Sequence, residues 1–150
     1  MSLREQLEDD IRQAMRDRAE VRLEALRFLK SVVQEVEKTQ GRSLDDPALV
    51  DVVAKQVNDR RESIRMFQQG NRTDLAEKES AELVVLEEYL PPQLGRDELT
   101  QLVRDTIAEV GATSAGDRGR VMGRLMPQVR GRADGTVVNE LVTQLLESGG

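Results

Sequence analysis

A diproline, Pro91-Pro92, interrupts a chain in which nearly every other segment repeats apolar residues at helical spacing. Proline lacks the amide proton a helix needs and restricts the residue before it, so no helix crosses this point. With Gln93-Leu94-Gly95 it sets the expected organisation: an N-terminal four-helix bundle-like domain over 1–90, a stiff Pro-rich linker over 91–95 and a small C-terminal module over 96–150. The fold class expected is all-α, because no stretch sustains period-two alternation.

The helices are read from their ends inward. Ser2 with Glu5 has the pattern of a reciprocal cap, and Leu3, Leu7, Ile11 and Met15 follow on one face to about Asp17. A second helix spans about 19–39, with Leu26, Leu29, Val33 and Val36 as its stripe and Gly41 as its stop. Asp46 before Pro47 suits an N-cap followed by proline in the first turn, opening a third helix that ends at Gly70. A fourth runs from Thr73-Asp74 to Leu90. Beyond the diproline come helices over 96–110, from Ser114 to Met126 before Pro127, and a last one capped by Asp134. A module of about 55 residues is close to the lower limit for independent folding.

Composition narrows the chemistry. The chain has no cysteine and no histidine, which removes thiolate nucleophiles, zinc sites built on those residues and the usual partner of a catalytic serine. No catalytic residue, metal site or cofactor is expected. No apolar run approaches the roughly 20 residues that cross a bilayer, and the first residues, Met1-Ser2-Leu3-Arg4-Glu5, are charged. On this reading the protein is soluble and cytoplasmic.

The segment that carries a functional signal is basic on an acidic background. Arg118, Arg120, Arg124, Arg130 and Arg132 follow one another without an acidic residue between them, although the chain has a formal charge of −6. Arg120 and Arg124 are four apart and share a helix face. Gly119 and Gly123 leave a groove beside them that would admit a sugar–phosphate backbone or another helix. Gly131 and Gly135 bracket a turn expected to bring Arg130 and Arg132 to the same side, near a helix N-terminus that itself favours phosphate. The residues alone favour the plainer alternative: the glycines serve turns and packing, and the arginines solvate a small module. A second cluster, Arg60, Arg61 and Arg65, reads as a solvated face or as ion pairs with Glu77, Glu79, Glu82, Glu87 and Glu88 of the next helix.

The same segment resembles a known family. The order Gly119, Val121, Met122, Gly123, Leu125, Met126, Gly131, Ala133, Asp134, Gly135, Asn139 and Leu141 is similar to the C-terminal module of the GatB/YqeY family. Leu26-Arg27-Phe28-Leu29-Lys30-Ser31, Arg60-Arg61-Glu62-Ser63-Ile64 and Glu87-Glu88-Tyr89-Leu90-Pro91 extend the resemblance to nearly the whole chain. In that family the module forms the tail of the B subunit of tRNA-dependent amidotransferases, where it contacts tRNA, and it recurs in free-standing YqeY proteins. The resemblance implies a non-catalytic accessory protein that binds tRNA or another structured RNA, with amidotransferase subunits as further partners. Two alternatives accompany it: participation in carbon–nitrogen ligation with glutamine as amide donor, and a protein–protein module in which Gly119 and Gly123 seat a partner helix. The module has no aromatic residue on which to stack a base, so an RNA would be read by shape and backbone.

Overall fold

A computed structural model describes residues 1–149. The chain is all-α, as expected, with seven α-helices and no strand among the described residues. It divides into two compact units, Met1–Leu90 and Pro91–Gly150. Among the described residues no helix is long and apolar enough to cross a membrane.

The N-terminal unit contains α1 (Leu3–Arg16), α2 (Glu20–Gln40), α3 (Asp46–Gln69) and α4 (Thr73–Glu87). Ser2 caps α1 by accepting the Glu5 amide at 3.1 Å. Gly41 ends α2 in the left-handed conformation, φ 70°, which a side chain disfavours. Two adjacent aspartates share the next corner. Asp45, not Asp46, is the N-cap of α3 and accepts the Ala48 amide at 3.0 Å. Asp46 accepts the Leu3 amide at 3.1 Å instead, tying the start of α1 to the start of α3. The core is aliphatic: Leu7 and Ile11 of α1, Leu26, Leu29 and Val33 of α2, Leu49, Val53 and Val57 of α3, and Leu86 of α4 are all buried. Helix α4 ends three residues earlier than expected, at Glu87, which frees Tyr89 to turn inward. Tyr89 is 2% exposed and its hydroxyl donates to Asp10. Arg22 joins this group by bonding Glu88 at 2.7 Å.

The C-terminal unit contains α5 (Arg96–Val110), a 3₁₀ turn (Ala115–Asp117), α6 (Arg118–Val129) and α7 (Gly135–Glu147). Leu99, Val103 and Ile107 of α5, Val121, Leu125 and Val129 of α6, and Val138, Leu141, Val142 and Leu146 of α7 form its core. The segment expected to be a spacer is bonded into this unit. The Leu94 amide donates to the Arg132 carbonyl at 2.9 Å, and the Gln93 side-chain amide donates to the Gly131 carbonyl at 2.7 Å. Helix α6 does not stop before Pro127 but runs through it to Val129. The ring abuts the carbonyl four residues earlier, and that residue is Gly123. Both positions are exposed, so solvent can serve the carbonyl that the missing amide proton leaves unbonded.

Candidate nucleic-acid interface

Helix α6 places the arginines. Val121, Leu125 and Val129 turn into the core and fix the rotation of the helix. Arg120 and Arg124 therefore stand on one outward face, with side chains 60% and 59% exposed. Each has a carboxylate partner. Arg120 meets Asp117 at 3.0 Å, and Arg124 meets Glu109 at the end of α5.

Arg118 and Arg132 do not join that face. Arg118 is roughly 160° around the helix axis from Arg120, and its guanidinium donates to the Asn139 side chain on α7 at 3.0 Å. Arg132 turns back on the unit, its Nε donating to the Pro92 carbonyl at 3.2 Å. Arg130 sits at the C-cap of α6, outside the regular helix, and has a partner of its own. The expected gathering of five arginines on one side is thus corrected: Arg118 and Arg132 are drawn away from the face that Arg120 and Arg124 share. The physical reason is local: Asn139 on α7 holds Arg118, and the Pro92 carbonyl, in the segment bonded to the turn after α6, holds Arg132.

The glycines separate in the same way. Gly131 has φ 73° and serves the turn, where the Arg132 amide bonds back to the Val129 carbonyl at 2.8 Å. Gly135 opens α7, whose cap is Asp134 accepting the Thr136 amide at 2.9 Å. Gly119 and Gly123 are exposed on α6, and a Cβ added at either would meet nothing within 4 Å. Among the described residues no neighbouring atom requires them to be small.

Asp117 sets the electrostatics at the start of α6. Its carboxylate accepts the Thr113 amide at 2.9 Å and the Ser114 amide at 3.3 Å. These two amides hold its pKa below the usual carboxylate range, and Arg120 adds to the effect. An acid at this position also offsets two arginines in the first turn of a helix, where the macrodipole disfavours positive charge. Asp117 lies one residue outside the acid-free segment, so the segment alone overstates the positive potential.

The second basic cluster behaves differently. Arg60 is buried in the N-terminal unit and meets Glu79 at 3.0 Å and Glu82, both on α4. Arg61 reaches Glu87 at 3.6 Å. The α3–α4 ion pairs anticipated from the sequence are present, but the burial of Arg60 is not readable from charge pattern alone.

An all-helical, two-unit protein with an exposed arginine pair on the second helix of its C-terminal unit is the class that fold and site define. The family model for Yqey-like protein matches residues 4–146, and the chain belongs to that family. It is similar to the Altered inheritance of mitochondria protein 41, mitochondrial, of Pyrenophora tritici-repentis, at 33% identity over 93% of this chain and 78% of that protein. The protein of the same name from Kluyveromyces lactis is 31% identical over 69% of this chain and 58% of its own length. That from Lachancea thermotolerans is 35% identical over 56% of this chain and 46% of its own. All three are named as mitochondrial, which overturns the cytoplasmic location expected from the sequence. A charged first segment and the lack of an apolar run exclude neither compartment, so that inference had no physical hold.

Proposed function

We propose that this YqeY-like protein is a non-catalytic accessory protein that holds tRNA or another folded RNA by its phosphate backbone, through Arg120 and Arg124. The observation that supports this reading is the pair of guanidinium groups, 60% and 59% exposed, on one face of α6. Their carboxylate partners do not disable them. Exposed ion pairs contribute about 0–1 kcal/mol and weaken with salt, whereas phosphate offers a charge-assisted, two-pronged acceptor to each guanidinium. By the names of the relatives, the proposed setting is mitochondrial rather than cytoplasmic.

A second reading rests on Gly119 and Gly123. Among the described residues no neighbouring atom calls for their smallness, and a close-approaching helix of a partner protein, such as an amidotransferase subunit, would give it a use. Equilibrium binding of tRNA across a salt series separates the two. The RNA reading requires that Arg120→Gln with Arg124→Gln weaken binding and make the slope of log K against log[salt] shallower by about 1.4–1.8, the value for two phosphate contacts. An unchanged slope removes the arginine pair from the account.

A further inference from the structure

The N-terminal unit contains a cavity of about 450 Å³ lined by residues of α2, α3 and α4. That volume is in the range of small-molecule sites. Arg60 lines it, 8% exposed, with its guanidinium carbon 5.1 Å from the centre of the Phe28 ring. Phe28 lines it too and is 45% exposed, unusual for the larger of the apolar side chains in a bundle whose core is aliphatic.

The charges in this cavity do not balance. Glu79 and Glu82 both bond the same nitrogen of Arg60, Nη1, and Nε has no partner although it is buried. One cation therefore answers two carboxylates, whose side chains are only 27% and 8% exposed. Glu24 and Asp59 at the rim are each met by a lysine, Lys78 at 3.8 Å and Lys55 at 3.1 Å, so the excess rests on Glu79 and Glu82. Uncompensated charge shielded from water is unfavourable, and a second cation relieves it. That cation is organic: among the described residues no three carboxylates come together as a metal-holding group. An anion would add to the excess.

We propose that this cavity binds a small organic cation, an alkylguanidinium or alkylammonium, with its head on Glu79 and the rim carboxylates and its stem against Phe28. Arg60 keeps Glu82, the deeper partner. It also keeps Glu79, which it holds through one carboxylate oxygen, and the newcomer takes the Glu79 oxygen that Arg60 leaves unused.

Agmatine, which has a guanidinium and an ammonium on a four-carbon stem, is the probe. Calorimetric titration of the full chain, with amide shifts followed by NMR, is expected to show binding with changes centred on Phe28, Ser63 and Glu79. Glu79→Gln weakens binding by about tenfold or more, the worth of one charge-assisted bond. Lys78→Gln, which removes the competing rim cation, tightens it by roughly twofold to fivefold. If Glu79→Gln melts at the assay temperature, Asp59→Asn at the rim replaces it, with a weakening of about twofold to fivefold expected. An end-blocked tripeptide with a central arginine tells the sources apart. Tighter binding than agmatine points to a partner's side chain, weaker binding to a free metabolite, and either supports the site. Absence of shift changes at about 10 mM agmatine, well above the range of a specific small-ligand Kd, overturns the proposal. So does affinity unaltered by the carboxylate substitutions, or a preference for acetate over agmatine.

Discussion

Arg60 and the pair Arg120–Arg124 are the same residue type in opposite circumstances. Arg60 is 8% exposed, stacked on Phe28 and held by two glutamates of another helix. Arg120 and Arg124 stand 60% and 59% exposed, each beside one carboxylate. A buried guanidinium is tied to its partners because separating them leaves a charge without solvent. An exposed one exchanges its partner for water, salt or phosphate at little cost. Charge pattern in the sequence does not distinguish the two, since each cluster reads as arginines at helical spacing. What distinguishes them is how each helix is rotated against its neighbours.

The largest effect that would test this contrast is at Arg60. Arg60→Met leaves Glu79 and Glu82 unanswered and is expected to destabilise the protein by about 3–5 kcal/mol, the usual result of breaking a buried pair from one side. Urea denaturation followed by circular dichroism measures it. Adding Glu82→Met to Arg60→Met should recover much of the loss, because apolar residues of similar volume replace a buried ion pair at little net cost. If the double variant is no better than the single one, Arg60 is held by something other than the charges.

Next in size is a gain. Gly123→Ala on the open face of α6 meets no atom within 4 Å, and alanine is better than glycine inside a helix by about 1 kcal/mol. The melting temperature should rise while RNA affinity stays within about twofold, a free-energy change of only about 0.4 kcal/mol. Loss of a co-purifying protein on this substitution, with RNA binding intact, would move the function of α6 to its glycine strip.

Smaller still is Glu109→Gln. It removes the carboxylate beside Arg124 and should change stability by less than about 1 kcal/mol. Under the RNA proposal it tightens tRNA binding by a few-fold at low salt, and the gain vanishes as salt screens the pair. Arg60, whose partners are enclosed, should show no comparable salt sensitivity in its contribution to stability.

These tests also mark how much the sequence revealed. The helices were legible because their ends are written locally: Ser2, Gly41, Gly70, Gly111 and Asp134 act through neighbours a few residues away. The errors arose where a tertiary contact decided. Asp45 and Asp46 look equivalent as caps, and only the distant Leu3 amide assigns them. Pro127 looks like a stop, yet α6 continues through it because Val129 has a place in the core. Arg132 looked available to a ligand until the Pro92 carbonyl took its Nε. In the sequence Phe28 is legible as part of a family pattern and Arg60 as one arginine of a charged cluster. Their meeting across α2 and α3 leaves no signal in either segment.

The smallest effect concerns Asp117, and it is one of pH. Its carboxylate is held below its ordinary pKa of 3.8 first by the Thr113 and Ser114 amides and then by Arg120. A group with a lowered folded pKa binds fewer protons when folded than when unfolded, so its contribution to stability is complete above the ordinary value. That contribution is lost as pH falls through the lowered one. The start of α6 should accordingly hold near neutrality and loosen only in acid, below about pH 4. Carboxyl NMR titration would show Asp117 protonating at lower pH than other exposed aspartates, with the Thr113, Ser114 and Arg120 signals moving in step. Protonation at or above the ordinary value would mean that the turn is not closed on Asp117. Arg120 would then have one partner fewer than the structure gives it, and RNA binding would lack the competition expected from that carboxylate.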